Sequence, residues 1–315
     1  MQTRFSIVVV HRNNFKSLER TLSSILQNIS ENDEIILVDN HSTDDSIEII
    51  QSKDYFKSIK LIKNRCNAGY SVACNQGISK ASGGHFIICN NDITINSNFL
   101  DDLEKIISKN KTFGLIGPKI INTNNEEVAS YSKNKIGILN QLDLFGRIFR
   151  PKVKITSTSV VETLRGPCLI MNSKISKDFA NFDEEFFFYH EEVELSHRVS
   201  NSKKWRVLYA PEIKVKHYGG ISSKAFFKES RIEFFRSRIL FWKKTLPFHK
   251  RLILKIFNYP KLFLDLIFYL LTTILTLNLK KKFLLKMLDR AYVIAWFLRG
   301  KPENYGLPDK CKNSN

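Results

Sequence analysis

A short apolar run that ends in a carboxylate is the first candidate for chemistry. Phe86 to Cys89 are apolar and bounded by polar residues, which is typical of a strand buried on both faces of a sheet. Asn90, Asn91 and Asp92 follow directly. Ligands of open parallel sheets bind at the carboxyl ends of such strands, and a carboxylate there is costly unless it is solvated, paired or bound to a metal. We therefore interpret Asp92 as a candidate metal ligand; the alternative is that Asn90 and Asp92 cap a helix beginning near Ser97.

Three glutamates form a second candidate group. Four consecutive aromatic residues at 186–189 lead into Glu191, Glu192 and Glu194. On a helix that starts near Glu191, Glu191 and Glu194 share one face, whereas Glu192 points elsewhere. Acidic residues in a first turn favour the helix dipole, which is the structural explanation. A carboxylate beside aromatic rings is desolvated, however, and desolvation raises its pKa and its basicity. The three glutamates are therefore candidate general bases.

Polar residues also follow the other predicted strands. Strands are predicted at 5–10, 34–38 and 59–62, and each is followed by a segment of helical periodicity. Strands alternating with helices of this length indicate right-handed crossovers and a mostly parallel central sheet flanked by helices. Four polar strand ends at one edge predict a binding site. Besides Asn90 and Asp92, its candidate members are His11, Asn13, Asp39, Asn40, Asn64 and Asn67.

Two common phosphate-binding loops are missing from the sequence. It contains no G-x-x-x-x-G-K-[ST], and no G-x-G-x-x-G follows the first strand. These absences argue against a P-loop NTPase and an NAD-binding Rossmann domain. We expect the ligand to be held by side chains and a metal.

His217 and the polar segment 122–160 leave alternatives open. A lone histidine is more often structural than functional, but the glycines at 219 and 220 allow backbone to approach a ligand closely. The polar, weakly periodic sequence of 122–160 predicts loops with a short helix at 138–144. We interpret this whole segment as a flap over the site.

The positive charge of the chain is concentrated near its C-terminus. The 315 residues include 49 Lys and Arg against 31 Asp and Glu, a net charge of +18. Residues 224–301 hold 18 of the basic and 4 of the acidic residues, an excess of 14 positive charges.

The same region contains an apolar run at 262–279 that is borderline for a spanning helix, and its basic flanks give no positive-inside asymmetry. We favour an interfacial helical hairpin whose Lys and Arg meet anionic lipid. An ordinary helical appendage is the alternative, and nucleic-acid binding is disfavoured because no recognition motif is present.

The cysteines and the first residues suggest a compartment. The five cysteines show no CxxC and no paired spacing, a set that fits a reducing environment. The chain leads straight into a strand without the apolar core of a signal peptide. We expect the catalytic body to stay in the cytosol.

Together, these stretches resemble the inverting family 2 glycosyltransferases of the GT-A fold, in particular their rhamnosyltransferase-like branch. The resemblance spans roughly residues 5 to 222, and its motifs occur in the family's order. It implies a GT-A nucleotide-diphospho-sugar transferase fold in residues 1–222, followed by a basic helical region at 223–315. The matching stretches are Val10 to Asn13, Val38 to Asp44, Asn67 with Gly69, Asn75 with Gly77, Asn90 to Asp92, Phe182 to Arg198, and His217 with Gly219 and Ser222.

The resemblance also implies roles for individual residues. Asp39 would contact the nucleotide base, Asp92 would hold Mg²⁺ or Mn²⁺ on the donor diphosphate, and Glu192 would be the general base. Glu replaces the family's usual Asp at 192 and at 194, and His11 replaces a Thr or Tyr. The implied substrate-binding residues are His11, Asn13, Asp39, Asn40, Asn67, Asn75, Asn91, Arg165 and His217, with His217 also a candidate metal ligand.

The expected function is the transfer of a sugar to a lipid-linked glycan on the cytoplasmic face of the cell membrane, in cell-surface polysaccharide biosynthesis. Rhamnose from dTDP-rhamnose is the best single prediction for the donor. The competing hypothesis is a catalytically inactive scaffold of a glycan-assembly complex that retains the fold. A sugar nucleotidyltransferase is disfavoured because no glycine-rich loop with Arg or Lys follows the first strand.

Overall fold

The computed structural model divides into two compact units. The first comprises Met1–Lys135, Lys154–Ser222 and Asp309–Asn315, and the second comprises Ile136–Val153 and Ser223–Pro308. The structure describes residues 4–133, 155–179, 181–219, 226–277, 279–303 and 305–311. The predicted flap helix at 138–144 and the motif residue Ser222 lie outside these described residues.

The first unit is built on a ten-stranded sheet. Its strands are β1 (Phe5–His11), β2 (Asp33–Asp39), β3 (Ile59–Lys63), β4 (His85–Asn90), β5 (Ile93–Ile95), β6 (Phe113–Ile121), β7 (Glu127–Val128), β9 (Ser159–Val160), β11 (Cys168–Asn172) and β12 (Arg206–His217), while β8 (Tyr131–Ser132) pairs with β10 (Thr163–Leu164) in a separate ribbon. The main path runs β3-β2-β1-β4-β11-β6-β12-β5, with β7 beside β6 and β9 beside β12.

Among the described residues, six helices belong to the first unit. They are α1 (Phe15–Leu26), α2 (Ser46–Gln51), α3 (Tyr70–Lys80), α4 (Phe99–Lys109), α5 (Ser173–Phe179) and α6 (Glu191–Ser200). A 3-10 helix at Asp54–Ser58 precedes β3. The predicted α/β architecture is confirmed: β3, β2, β1 and β4 are parallel, as are β6 and β12, whereas β11 runs antiparallel between β4 and β6.

Helices pack on both faces of the sheet and position the residues near its carboxyl edge. Alternate residues of β1 face opposite sides because side chains alternate along a strand. Ile7 and Val9 join the core cluster that includes α1, whereas Val8 and Val10 join the cluster that includes α3. A Cβ on Gly77 would lie 2.3 Å from Val8 Cγ1, so only glycine lets α3 pack this closely on the sheet. This packing brings the N-terminus of α3 to the carboxyl ends of β1 and β2.

The described part of the second unit contains three long helices: α7 (Phe227–Thr245), α8 (Phe248–Leu275) and α9 (Lys281–Leu298). Asp265 of α8 accepts from Lys261 at 2.9 Å and from Arg290 of α9 at 3.3 Å, and Asp289 accepts from Arg231 at 2.6 Å. These ion pairs join the helices across an otherwise apolar region. The C-terminal region is therefore helical, as predicted.

Large apolar side chains remain exposed on α8. Those at 264, 268, 271 and 275 follow a helical spacing of four, three and four residues and thus form one stripe. Leu277 and Leu279 extend the exposed surface to the basic run Lys280–Lys282, which is exposed as well. Among the described helices, none combines the length and the apolar character needed to cross a bilayer.

Cysteine pairing corrects a prediction. Cys66 and Cys311 form a disulfide with Cα atoms 5.0 Å apart, so the expectation of an unpaired set was wrong for these two. The reason is their separation of 245 residues, which leaves no local spacing to detect. Cys74, Cys89 and Cys168 are free and buried, which fits their apolar sequence patterns.

Candidate active site

The carboxyl ends of the first four strands lie in one row. His11 is the register partner of Asp39, Asp39 is the partner of Lys63, and Val10 is the partner of Asn90. Because neighbouring strands are about 4.8 Å apart, the polar residues after β1, β2, β3 and β4 share one edge of the sheet. This edge is the candidate site.

The turn after β2 is held together by Asp39. Asp39 Oδ1 accepts from the backbone N–H of Ser42 at 3.0 Å and from its hydroxyl at 2.5 Å. Burial raises the pKa of Asp39 above its ordinary value, although the bonds from Ser42 oppose this. His41 between them has a φ of 68°, in the left-handed region. The carboxylate thus shapes its own turn at the position expected to meet a nucleotide base.

Asn13 joins the loop after β1 to this turn. Its backbone N–H donates to Ser42 Oγ at 2.9 Å, and its Oδ1 accepts from the backbone N–H of Thr43 at 2.7 Å. Asn13 and Asn14 both have positive φ, 60° and 75°. Asn14 also caps α1, because its Oδ1 accepts from the backbone N–H of Ser17 at 3.0 Å.

The side chain of Asn40 has all of its hydrogen-bonding capacity used within the protein. Its Nδ2 donates to Asn67 Oδ1 at 3.0 Å and to the Gly69 carbonyl at 3.2 Å. Its Oδ1 accepts from the backbone N–H of Ala68 at 2.9 Å and from Asn64 Nδ2 at 3.1 Å. An amide side chain offers two donors and two acceptor positions, so none remains for a ligand. Asn40 and Asn67 therefore shape the turn that leads into α3.

Asn75 holds the aromatic segment against α3. Its Nδ2 donates to the Phe182 carbonyl at 2.9 Å, and its Oδ1 accepts from the Phe182 N–H at 3.0 Å. At the start of α3, the Tyr70 N–H donates to the Phe187 carbonyl at 2.7 Å. A Cβ on Gly69 would lie 2.8 Å from that same carbonyl oxygen, which together with its φ of 87° requires glycine there.

His11 is a buried link between the loops after β1, β2 and β4. Asn91 Nδ2 lies 2.7 Å from His11 Nδ1, and an amide nitrogen can only donate, so Nδ1 accepts. His11 Nε2 then carries the hydrogen and donates to Ser46 Oγ at 2.8 Å. Burial lowers the pKa of His11 to about 4, which keeps the ring neutral near pH 7. His11 thus positions Asn91, the neighbour of Asp92.

Asp92 and His217 are brought together by β5 and β12. The pairing of Ile93 with His217 places Asp92 Oδ2 3.2 Å from His217 Nε2. Asp92 Oδ1 is buried and accepts no hydrogen bond from the residues that the structure describes. Helix α4 begins only at Phe99, with Asn98 in its N-cap position. Asp92 is therefore not a cap of this helix.

A divalent cation fits this pair in part. No group of three or more His, Cys, Asp and Glu suited to a metal occurs among the described residues. Asp92 nevertheless offers a buried oxygen without a partner, and His217 adds a nitrogen. A magnesium-type ion commonly takes only one or two protein carboxylates and fills its other positions with substrate phosphates and water. The donor set therefore suits an ion that arrives with a phosphorylated ligand.

The three glutamates at the start of α6 differ in their surroundings. Glu191 is 6% exposed, and burial together with the charge of Glu192 raises its pKa well above its ordinary value. Burial also raises the pKa of Glu192, whereas Arg165 and the backbone N–H of Gly166 oppose this. All three glutamates, Glu194 included, have a buried Oε2 that accepts no hydrogen bond from the described residues.

Glu194 is engaged in an ion pair. Its Oε1 accepts from Arg198 Nε at 2.7 Å, and Arg198 in turn donates to the carbonyls of Phe179 and Asn181, both at 2.7 Å. The arginine thus fixes the chain that enters the aromatic segment. Of the three candidate bases, Glu191 and Glu192 remain without an ion-pair partner of this kind.

The chain enters α6 through two consecutive residues in the left-handed region. Tyr189 and His190 have φ values of 72° and 68°. This conformation costs a non-glycine residue of order 1–3 kcal/mol and persists only where the surroundings impose it. Such strain is common next to functional groups, and here it directly precedes Glu191 and Glu192.

A turn at 165–167 joins the glutamates to the end of β4. The Asn90 N–H donates to the Pro167 carbonyl at 2.9 Å, while Gly166 and Arg165 interact with Glu192. Arg165 itself is exposed. Glu192 therefore lies beside a turn that is bonded to Asn90, two residues before Asp92.

Several residues of this edge were missed by sequence reasoning. Ser46, which bonds to His11, was not singled out, and Ser42, which bonds to Asp39, appeared only as a member of the matching stretch Val38 to Asp44. Arg12 and Asp309 form an ion pair at 2.7 Å. Their separation by 297 positions leaves no signal in the sequence.

Known proteins provide the comparison for this geometry. The model of a family described as glycosyl transferase family 2 matches residues 6–177, more than half of the chain. An N-acetylglucosaminyl-diphospho-decaprenol L-rhamnosyltransferase of Mycobacterium tuberculosis is 24% identical over 222 residues, which cover 64% of this chain and 71% of that protein.

Two solved structures share the fold. The mannosyltransferase PcManGT from Pyrobaculum calidifontis, in complex with GDP-Man and Mn²⁺, matches with a TM-score of 0.59 and 16% identity over 96% of this chain and 88% of that one. GalNAc-T7 with UDP, GalNAc and Mn²⁺ matches with a TM-score of 0.55 and 18% identity over 69% of this chain and 44% of that one, so this chain matches less than half of its length. At these identities the likeness shows the fold alone. The sheet with its strand-end edge is thus a GT-A fold, and the chain belongs to glycosyl transferase family 2.

Proposed function

We propose that the chain is a metal-dependent, inverting glycosyltransferase that moves a sugar from a nucleotide-diphosphate donor to a lipid-linked saccharide. The observation that carries this proposal is that Asp92 and Glu192, like Glu191 and Glu194, have a buried carboxylate oxygen without a partner among the described residues, and that Glu192 lies beside the turn whose Pro167 carbonyl bonds to Asn90. A buried polar atom is normally hydrogen-bonded, and an exception requires an explanation. A metal on one side and an acceptor hydroxyl on the other would account for both.

In this mechanism each carboxylate has its own task. Asp92 and His217 would hold Mg²⁺ or Mn²⁺, which when bound neutralises charge on the leaving diphosphate. Glu192 accepts the proton of the acceptor hydroxyl as that oxygen bonds to the anomeric carbon. Burial raises the pKa of Glu192 and so makes it a stronger base. Attack from the face opposite the diphosphate inverts the anomeric centre.

The donor and the acceptor are proposed from similarity. The relative from M. tuberculosis is an L-rhamnosyltransferase whose printed acceptor is a diphospho-decaprenol saccharide. By analogy, dTDP-rhamnose is the proposed donor and a polyprenyl-diphosphate saccharide the proposed acceptor, in cell-surface polysaccharide biosynthesis. Asp39, the last residue of β2, is the proposed contact of the nucleotide base.

The second unit is proposed to bind an anionic membrane surface on the cytoplasmic side. The apolar stripe of α8 is exposed and is followed by Lys280–Lys282. An amphipathic helix with this combination lies in the headgroup region, where apolar side chains enter the lipid and basic ones meet anionic headgroups. The wild type should co-sediment with vesicles that contain phosphatidylglycerol, whereas the double variant Leu264→Glu/Phe268→Glu should stay in the supernatant. Equal sedimentation of both proteins would contradict this role.

Transfer assays test the catalytic proposal. The purified protein is incubated with dTDP-rhamnose, UDP-sugars or GDP-sugars and a polyprenyl-diphosphate N-acetylglucosamine, with Mn²⁺ or with EDTA. We expect transfer from one donor class, its loss in EDTA, and a product whose anomeric configuration, read by proton NMR, is opposite to the donor's. No transfer and no donor hydrolysis with any nucleotide would favour the inactive scaffold.

A further inference from the structure

Residues Asp309–Cys311, here called the strap, lie along the turn that follows β3. The Asn67 N–H donates to the Asp309 carbonyl at 2.8 Å, and the Cys311 N–H donates to the Asn67 carbonyl at 3.1 Å. The two bonds form a short parallel bridge. The disulfide between Cys66 and Cys311 closes the same contact covalently.

Side chains of the strap reach two further parts of the site. Asp309 Oδ2 accepts from the Arg12 guanidinium at 2.7 Å, just after β1. Lys310 Nζ lies 4.4 Å from the centre of the Phe187 ring, within the range of a cation–π contact. The strap therefore touches the loop after β1, the turn after β3 and the aromatic segment that precedes α6.

Two of these segments, the loop after β1 and the turn after β3, are linked to Asp39. Asn67, whose backbone the strap binds, also accepts from Asn40, the residue that follows Asp39. Arg12 is close enough to Asp39 for their charges to interact. Its Nε is buried and donates no hydrogen bond to the described residues. A cation with a free donor thus stands beside the carboxylate expected to meet the nucleotide.

We propose that the strap forms one wall of the donor site, that it positions Arg12 and the turn at 66–69 for a nucleoside diphosphate, and that the Cys66–Cys311 disulfide determines how firmly this wall is held. This inference rests on the proposed function. A wall fixed in its binding conformation loses less entropy when the ligand binds, so the disulfide-closed protein should bind more tightly.

The disulfide makes this wall sensitive to redox conditions. Formation of the S–S bond removes two protons and two electrons from the thiols of Cys66 and Cys311, and a low-molecular-weight disulfide takes them up as it is cleaved into two thiols. A dithiol reductant reverses the reaction and is itself oxidised to a cyclic disulfide. In a reducing compartment a disulfide between such distant residues is typically a transient, redox-sensing one.

Calorimetry tests the proposal on the full-length protein. dTDP and UDP are titrated with Mn²⁺ into air-oxidised wild type, wild type with dithiothreitol, and the double variant Cys66→Ser/Cys311→Ser. We expect the last two to bind about 3- to 10-fold more weakly than the first, as loosening one or two side chains would predict. The reductant should have no effect on the double variant.

A charge variant separates the strap from the disulfide. Asp309→Asn removes the partner of Arg12 and keeps both cysteines, so it should weaken nucleotide binding in the oxidised protein. Asp102→Asn is the matched control, because Asp102 pairs with Lys105 on the exposed surface of α4. The control should bind as the wild type does.

A second measurement needs no ligand. Amide hydrogen exchange of segment 64–70 should be faster after reduction and in the double variant. Equal nucleotide affinity within twofold, tighter binding after reduction, or unchanged exchange would each overturn the inference. Failure of the oxidised wild type to bind any nucleotide would instead contradict the proposed function, and the exchange measurement would still decide whether the disulfide holds the turn.

Discussion

Amide side chains and carboxylate side chains at the strand-end edge differ in how many hydrogen bonds the protein itself supplies. Asn40 and Asn75 bond to backbone and side-chain groups of neighbouring loops, and Asn40 has no capacity left. Asp92, Glu191, Glu192 and Glu194 each retain a buried oxygen that the described residues leave without a partner, whereas the Asp39 carboxylate accepts two bonds from Ser42. Satisfied buried groups stabilise the fold, whereas unsatisfied charged ones cost stability unless a ligand completes them.

The comparison divides the predicted site residues into two roles. Asn40, Asn67 and Asn75 shape the loops, although the resemblance assigned them to the substrate. Asp92 and Glu192 have the free oxygens that metal binding and proton transfer require. Substitutions in the first group should therefore reduce stability more than chemistry, and substitutions in the second group should do the reverse.

The largest effect is expected for Asp92→Ala. Loss of metal stabilisation should lower kcat/KM for sugar transfer by about 10⁴-fold, since such stabilisation is worth several kcal/mol. The melting temperature without ligand should fall only slightly, because Oδ1 has no partner among the described residues and Oδ2 contacts only His217. Steady-state kinetics with Mn²⁺ and thermal unfolding measure the two quantities. Asp102→Ala, which removes an exposed carboxylate of α4, is the control.

Glu192→Gln should lower kcat by about 10³-fold, within the range for loss of a general base. In the wild type, kcat should fall on the acid side as Glu192 takes up a proton. The midpoint of this fall in kcat should lie at a higher pH than the ordinary pKa of a glutamate, because burial raises the pKa of Glu192. Glu194→Gln should instead weaken the Arg198 pair and shift stability. A pH–rate profile that keeps its acid limb in Glu192→Gln would remove Glu192 as the base.

Asn40→Ala should destabilise the protein by about 2 kcal/mol, since it leaves several buried partners without hydrogen bonds. Denaturant unfolding measures this loss. At saturating donor and well below the melting temperature, kcat should change far less than in Asp92→Ala. A fully stable Asn40→Ala protein would contradict the structural role assigned to the amide side chains.

Glu191→Gln should raise stability near pH 7–8 by about 1 kcal/mol. The folded-state pKa of Glu191 is raised, so the folded protein binds this proton more strongly than the unfolded chain does. Its contribution is therefore fully present below the unfolded pKa and is lost as the pH rises through the folded pKa. The gain from Gln, which never ionises, should disappear in acid. Melting temperatures across pH check this sign.

Much of the scaffold was predictable because local patterns specify it. The segment of helical periodicity after the first strand forms a helix at Phe15–Leu26, and the glutamates start α6 as expected. The partner of Glu194 was also within reach, since Arg198 lies four residues on, the usual spacing of a helical ion pair.

Other features depend on residues that are distant in sequence. The bonds of Asn75 to Phe182 span 107 positions, and those of Asn67 to the strap depend on the far end of the chain. The meeting of Asp92 with His217 needs the antiparallel pairing of β5 with β12. A sequence pattern shows which residue types are available, whereas the fold determines which of their hydrogen bonds remain free.

Calorimetric titration of dTDP, with Mn²⁺ and with EDTA, into wild type and Asp92→Ala decides whether Asp92 holds the metal that nucleotide binding requires. We expect the wild type to bind only with Mn²⁺, and we expect Asp92→Ala to lose this binding while its melting temperature stays close to that of the wild type. Unchanged, Mn²⁺-dependent binding in Asp92→Ala would contradict the claim that the unpartnered carboxylate marks the metal site.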